Sequence, residues 1–213
     1  MAKGVKVWDG FIRFFHWATV LLLAALWWTA EQGQMDRHQD LAMVLLALII
    51  TRIGWGIVGS DSSRFSRFVR SPIAAIKHLA SLKQRPFHYE PTHNAAGAWF
   101  VLLILALLLV QLISGLFATD EILFSGPLSG MVSGALASDL TSWHKLNFNI
   151  ILAVVGLHVV AVVIYRLLGA RLAEGMIHGR LPVAAESAPQ LRSGWWPFIS
   201  AAALAAALLY WVN

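Results

Sequence analysis

Residues 142–168 read SWHKLNFNIILAVVGLHVVAVVIYRLL, and this stretch decides the fold. From Asn147 onward it is almost purely apolar, and it is long enough to cross the hydrocarbon core of a bilayer, which takes about 20 residues. Two histidines, His144 and His158, stand 14 positions apart in it. In an α-helix that separation is just under four turns, so both imidazoles project from nearly the same face, about 21 Å apart along the axis. The stretch therefore predicts a membrane-spanning helix with two imidazoles on one side.

The composition of the whole chain also indicates an integral membrane protein. Of its 213 residues, 58% are hydrophobic and only 13% are charged, and the mean hydropathy is +0.68. A soluble domain carries roughly 25% charged residues, which this chain lacks. The predicted spans are residues 12–30, 38–58, 93–117 and 147–168, followed by a shorter, Ala-rich fifth span at 195–213. We expect an all-α protein, a four-helix transmembrane bundle in residues 1–180 with an additional C-terminal transmembrane helix.

Two segments between the spans have patterns of their own. Ser71-Pro72 is typical of a helix start, and Ile73, Ile76 and Leu79 follow at helical spacing. This pattern predicts an amphipathic helix over residues 72–83 that lies on the membrane surface. Residues 181–194 hold two prolines and small side chains, and we interpret them as a linker to the fifth span.

The positive charges indicate the orientation in the membrane. Fourteen of the sixteen Lys and Arg residues lie at the N-terminus, in residues 52–85 or in residues 166–192. Only Arg37 and Lys145 fall in the other two loops, which hold six acidic residues. By the positive-inside rule the N-terminus is cytoplasmic, and five spans place the C-terminus in the periplasm. The pI of about 10.0 is then a consequence of topology, and no nucleic-acid partner is expected.

The histidines are the candidates for chemistry. The chain has no cysteine, which excludes thiolate-bound zinc, iron–sulfur clusters and thioether-attached haem. His16 lies near the cytoplasmic start of the first span, level with His158, and His38 opens the second span, level with His144. We name His16 with His158 the inner pair and His38 with His144 the outer pair.

Two facing imidazoles match the bis-histidine ligation of a non-covalent haem b. Structural zinc prefers four ligands, and neither pair has an accompanying carboxylate. A proton or ion pathway usually needs Asp or Glu inside the membrane, and the spans have none away from their ends. Arg13, three residues before His16, and Arg52, at the level of the inner pair, could bind propionates. Their alternative role is ordinary positive-inside anchoring.

An ordered set of short motifs runs through the chain. The motifs are Val7-Trp8-Asp9, Arg13-Phe14-Phe15-His16-Trp17, His38 with Arg52-Ile53-Gly54-Trp55-Gly56, His93-Asn94-Ala95-Ala96-Gly97, Gly115, Gly126-Pro127-Leu128, Trp143-His144, Gly156-Leu157-His158 and Met176-Ile177-His178-Gly179. In this order they resemble the prokaryotic cytochrome b561 family and the related cytochrome b subunits of nickel–iron hydrogenases and formate dehydrogenases. One motif departs from the family, whose third helix often starts Gly-His-Asn-Pro where this chain has Thr92-His93-Asn94-Ala95.

The resemblance implies a four-helix core that binds two b-type haems. Carried over position by position, the family's iron ligands fall on His16, His38, His144 and His158. The family passes electrons in the membrane, commonly between the quinone pool and a partner redox protein. We therefore expect a respiratory-chain cytochrome in the bacterial cytoplasmic (inner) membrane, with a periplasmic partner such as a c-type cytochrome or a hydrogenase-like subunit. His93 could contact a quinone, exchange protons or bind a propionate, or it could make only a helix-end hydrogen bond with Asn94.

Other functions stay open at this stage. The chain could be an enzyme in its own right, an oxidoreductase that takes electrons from a small diffusible reductant such as superoxide and passes them to quinone. The longest outer loop, residues 118–142, is acidic and has no positive charge, which favours a basic protein partner over an anion. A more remote alternative is a haem-free membrane anchor or transporter whose histidines are structural.

Overall fold

The computed structural model describes residues 4–81, 93–120, 122–192 and 194–213. It is mostly helical, which confirms the all-α prediction. The helices are α1 (Gly10–Glu31), α2 (Met35–Val58), α3 (Phe65–Phe68), α4 (Pro72–Ser81), α5 (Ala95–Leu116), α6 (Gly134–Leu167), α7 (Leu172–His178) and α8 (Trp196–Val212). Short 3-10 turns lie at Ser129–Met131 and Ala185–Ser187, and β1 (Val5–Lys6) pairs with β2 (Arg180–Leu181).

Four helices, α1, α2, α5 and α6, are long and apolar enough to cross a membrane. They match the four predicted spans of the bundle. Large apolar side chains such as Leu21, Ile57 and Leu157 point outward from them and are exposed. A soluble protein would bury most of such side chains, whereas a membrane protein presents them to lipid.

Helix α6 begins earlier than the sequence predicts. The predicted span starts at Asn147, but the helix starts at Gly134, more than three turns before it. Ser133 caps this start, since its hydroxyl accepts the Leu136 N–H (3.3 Å) and its carbonyl accepts the Ala137 N–H (2.9 Å). Hydropathy marks only the apolar part of a helix, so it misses these more polar turns. His144, three residues before the predicted span, consequently lies well inside α6.

The predicted C-terminal helix and the predicted surface helix are both helical in the structure. Helix α8 is an apolar helix of 17 residues, which is short of the length of a full crossing, so a fifth span stays a prediction. Helix α4 starts at Pro72 after Ser71, whose hydroxyl accepts the Ala74 N–H (3.3 Å). Its apolar side chains Ile73, Ile76 and Leu79 are exposed, as an amphipathic surface helix requires. The end of the predicted helix, residues 82–83, lies outside the described residues.

The chain forms two compact units. The first unit comprises Met1–Trp17, Thr51–Leu103 and Leu157–Phe198, and the second comprises Ala18–Ile50, Ile104–Gly156 and Ile199–Asn213. Both histidines of the inner pair belong to the first unit, and both histidines of the outer pair belong to the second. Each predicted pair is therefore contained in one unit.

A two-stranded sheet ties the N-terminus to a distant segment within the first unit. Val5 pairs with Leu181 and Lys6 with Arg180 in antiparallel register. Val7, Trp8, Ile12 and Leu181 form a buried hydrophobic cluster beside the sheet. Leu181, the first residue of the predicted linker, is thus part of a packed core.

Gly179 makes the turn between α7 and β2 possible. Its φ of 76° lies in the left-handed region, where a side chain is unfavourable, and its carbonyl accepts the Val7 N–H (2.8 Å). A Cβ atom at this position would also lie 3.2 Å from the Trp8 carbonyl oxygen. Glycine therefore allows the N-terminal strand to approach this turn.

Candidate functional site

The inner pair meets in the first unit. His16 projects from α1 and His158 from α6, and the centroids of their rings are 6.4 Å apart, with 56° between the ring planes. Phe100 stacks on His158 (5.1 Å between centroids, 20°), and Trp17 contacts His16 edge-on (4.9 Å). Both imidazoles are partly buried among aromatic rings and face each other.

The outer pair has nearly the same spacing in the second unit. His38 of α2 and His144 of α6 have ring centroids 6.3 Å apart, at 74°. His38 Nδ1 lies 2.9 Å from the Leu26 carbonyl oxygen, and His144 Nδ1 lies 2.9 Å from the Gln111 carbonyl oxygen. A neutral imidazole that donates its Nδ1–H to a carbonyl keeps the lone pair on Nε2 free for a metal ion. Both rings of this pair are therefore held in the tautomer that an iron ligand needs.

The geometry of both pairs fits a bis-histidine metal site. An imidazole that binds a metal through a bond of about 2.0 Å has its ring centroid about 3 Å from the metal, so two such rings on opposite sides of one ion lie about 6 Å apart. Both measured separations match this value. Across the described ranges, no group of three or more His, Cys, Asp or Glu residues is arranged to hold a metal. A site of two imidazoles would suit a haem, whose macrocycle supplies the remaining ligands, better than zinc.

Two arginines predicted near the inner pair lie in the same unit as that pair. Arg13 donates from Nη1 to the Ile177 carbonyl oxygen (2.9 Å), and its Nε is shielded from solvent without a partner among the described residues. Arg52 is buried, with Nη1 3.4 Å from the Ser63 carbonyl oxygen and its guanidinium carbon 5.1 Å from the centroid of the Phe65 ring. An unused buried N–H and a buried cation are what an anionic group such as a propionate would satisfy.

His93 also lies in the first unit, immediately before α5. Its ring is 4.3 Å from that of Phe68 and 4.8 Å from that of Trp8, centroid to centroid. Its Nδ1 is shielded from solvent and has no hydrogen-bond partner in the described part of the chain. The predicted helix-end hydrogen bond with Asn94 is therefore not made by this atom.

The sequence was compared with known protein families, curated proteins and solved structures. The model of the family described as prokaryotic cytochrome b561 matches residues 7–179, most of the chain. The chain belongs to the prokaryotic cytochrome b561 family. No curated protein and no solved structure is detectably similar to it. The predicted family is therefore confirmed. As a member of it, the protein is a multi-pass bacterial membrane cytochrome of the b type. It takes part in electron transfer and binds haem b.

The start of α5 is well formed, although this cytochrome departs from its family's motif there. Asn94 caps α5, because its Oδ1 accepts the Gly97 N–H (2.7 Å), and Ala95 takes the first helical position, where proline is also common. Asn94 Nδ2 donates to the Tyr165 hydroxyl (3.2 Å), which also lies 2.9 Å from His78 Nε2. The cap and this cross-link hold α5 in place without the proline.

The groups that orient His144 in this cytochrome were not predicted from the sequence. Asn147 is buried and donates from Nδ2 to the Gln111 side-chain oxygen (2.7 Å) and to the Leu107 carbonyl (2.9 Å), which fixes the α5 turn whose carbonyl contacts His144. Ser114 Oγ lies 3.3 Å from His144 Nδ1. The available signal was two amide side chains in otherwise apolar predicted spans, Gln111 near the end of the third span and Asn147 at the start of the fourth.

Proposed function

We propose that this protein is a dihaem b-type cytochrome that relays electrons between the quinone pool and a periplasmic redox partner. The inner pair and the outer pair would each hold one haem b. The N-terminus would be cytoplasmic and the C-terminus periplasmic, as the distribution of Lys and Arg favours. The inner pair would then exchange electrons with quinone and the outer pair with the partner.

The observation that carries this proposal is the pair of matching ring separations, 6.4 Å and 6.3 Å. The four rings come from three helices, and α6 supplies one ring to each pair. Histidines that only capped helix ends or formed hydrogen bonds with nearby backbone would not need to lie in pairs, with the ring separation that a shared metal ion requires. The family membership supports haem as the bound group.

The residues of the chain prepare the sites for one-electron chemistry. Haem iron, when bound, supplies a reversible one-electron change of oxidation state. The carbonyls of Leu26 and Gln111 orient the outer imidazoles and make them stronger electron donors. Arg13 and Arg52 bring positive charge to the unit of the inner pair, where they would balance propionates.

His93 supports placing the quinone contact in the first unit. Its Nδ1 has no partner among the described residues, and its ring contacts the aromatic rings of Trp8 and Phe68. A quinone is a flat ring with carbonyl oxygens, so it can accept a hydrogen bond from an imidazole while it packs on aromatic side chains. His93 would hold the quinone, and it could exchange a proton with the reduced ring.

The function is tested first by counting haem and then by offering two electron donors. We expect a pyridine haemochrome assay of the purified protein to give two haem b per chain. In stopped-flow experiments we expect rapid electron exchange with a basic c-type cytochrome and slow reduction by superoxide. Fast reduction by superoxide alone would favour the stand-alone oxidoreductase, and a correctly folded protein with no haem would leave only the anchor or transporter.

The two sites are expected to differ in reduction potential. In the outer pair, the hydrogen bonds to two carbonyls increase the electron density of both imidazoles, and this favours the oxidised iron. In the inner pair, the Nδ1 of His16 has no such bond among the described residues. As partners of the propionates, Arg13 and Arg52 would favour the reduced state in the inner site, although Asp9 offsets part of the charge of Arg52. We expect a spectroscopic redox titration to resolve two steps and His16→Ala to remove the one at higher potential. Loss of the lower step in that variant would contradict this ordering.

A further inference from the structure

A tight hairpin follows α5 and is fixed by many hydrogen bonds. We call residues 118–126 the Asp120 hairpin; residue 121 is outside the described ranges. The Gly126 N–H donates to the Ala118 carbonyl (2.8 Å), and the Asp120 N–H donates to the Phe124 carbonyl (3.1 Å). Asp120 Oδ1 accepts the N–H groups of Ile122, Leu123 and Phe124 at 3.0, 2.9 and 2.8 Å. These bonds, that of Phe124 foremost, lower the pKa of the Asp120 carboxyl, so it is ionised at neutral pH.

The hairpin displays two large apolar side chains at its tip. Ile122 is 85% exposed and Leu123 is 92% exposed, and the backbone that carries both is held by Asp120. Two adjacent apolar side chains on an ordered loop are unfavourable in water unless a partner covers them. Because Asp120 already holds the backbone N–H groups of Ile122 and Leu123, binding there would cost little conformational entropy.

The hairpin is attached to the helix that carries His144. Thr141 Oγ1 accepts the Thr119 N–H (3.0 Å), and Thr141 lies one turn before His144 on α6. Gly126 packs so closely on the end of α5 that a Cβ atom would lie 2.6 Å from the Leu116 carbonyl oxygen. The tip is therefore held in a fixed place relative to the outer pair, as a docking surface for electron transfer would need.

The charges around the tip decide between three possible occupants. Residues 118–142 contain Asp120, Glu121 and Asp139 but no Lys, Arg, Trp or Tyr. Segments that insert into a lipid surface are usually basic and anchored by Trp or Tyr, so lipid is disfavoured. A second copy of the chain would bring like charges together, which is also disfavoured. A basic protein complements both the apolar tip and its acidic surroundings.

We propose that the Asp120 hairpin is the docking surface for a basic periplasmic redox protein, with Ile122 and Leu123 as its apolar anchors. The inference rests on the proposed function, because it assumes that the outer pair exchanges electrons with a protein. The acidic residues would speed encounter through long-range attraction, and the two anchors would slow dissociation.

The test uses the full chain with its haem in lipid nanodiscs. The rate constant for electron exchange is measured by stopped flow with a basic and with an acidic c-type cytochrome, at several ionic strengths. The variant Ile122→Ser/Leu123→Ser removes the anchors and leaves the charges. Its matched control is Met131→Ser, which changes an apolar side chain that is 76% exposed in the same loop but outside the hairpin. Haem content is measured in every sample.

We expect the wild type to react faster with the basic cytochrome and to lose this advantage as salt rises. The double variant should react about tenfold more slowly at unchanged haem content, and Met131→Ser should match the wild type. A double variant as fast as the wild type would overturn the docking surface while leaving the proposed function intact. A dihaem wild type that reacts with neither cytochrome would overturn both.

Two further outcomes would identify another occupant. An environment-sensitive fluorophore attached at position 123 should be quenched by a water-soluble quencher. Quenching by nitroxide-labelled lipid instead would overturn the proposal in favour of a membrane contact. Light scattering that shows a wild-type dimer and a monomeric double variant would overturn it in favour of self-association.

Discussion

His158→Ala is expected to lower the haem b content from two per chain to one. The imidazole of His158 is one of the two rings of the inner pair, and alanine leaves His16 without the opposite ring. The outer pair belongs to the other unit and keeps both its rings and the carbonyl contacts that orient them. We therefore expect one haem to be lost and the other to keep its spectrum. Electron transfer between quinone and a periplasmic partner should stop, since only one site remains.

The measurement is a pyridine haemochrome assay per chain, together with a reduced-minus-oxidised spectrum. His178→Ala is the matched control, because His178 lies in α7 outside both pairs, and it should retain two haems. His158→Gly offers a second check: added imidazole should restore the missing haem, which a merely structural defect would not allow. A His158→Ala protein that retains two haems would show that His158 is not a ligand.

Gly115→Val is expected to remove the outer haem and spare the inner one. A Cβ atom on Gly115 would lie 2.9 Å from Cε1 and 3.2 Å from Nδ1 of the His144 ring. Valine adds two further methyl groups, so the ring must move away from its hydrogen bond to the Gln111 carbonyl. An imidazole displaced by even 1 Å would no longer be placed to hold the iron together with His38. We expect the haem content to fall from two per chain to about one.

Gly156→Val is the matched control for this substitution. Gly156 also lies in a membrane-spanning helix, but apart from its chain neighbours and the backbone of its own helix no atom lies within 4 Å of the position of its Cβ. It should retain both haems and the wild-type spectrum. Equal loss in the two variants would point to general damage by valine in a helix, and full retention in Gly115→Val would show that the His144 ring can move without consequence.

The four spans and the two pairs could be predicted because their signals are local. An apolar run identifies a membrane helix, and the 14-residue spacing of His144 and His158 sets both on one helix face. The level of His16 and His38 then follows from where their helices enter the membrane. The ends of a helix are hard to predict where they are polar, because hydropathy gives no signal there. The start of α6 at Gly134 was missed for that reason.

Features that depend on distant parts of the chain could not be predicted. The pairing of Val5 with Leu181 has no signal in either two-residue strand, because both are too short to show a pattern. The orientation of His144 by Gln111 depends on how α5 packs against α6, and this packing cannot be predicted from the sequence. In the sequence, Asp120 is one of several acidic residues. Only the folded loop shows that its carboxylate accepts the hydrogen bonds that fix the hairpin.

The sheet between β1 and β2 has a consequence for biogenesis. A ribosome releases Val5 and Lys6 at the beginning of synthesis, but their partners Arg180 and Leu181 emerge only near the end. The closure of this long loop must wait for almost the whole polypeptide, while His38 and His144 have already been made. Assembly therefore has a built-in order, in which the two histidines of the outer pair can meet during translation and the sheet of the first unit closes last.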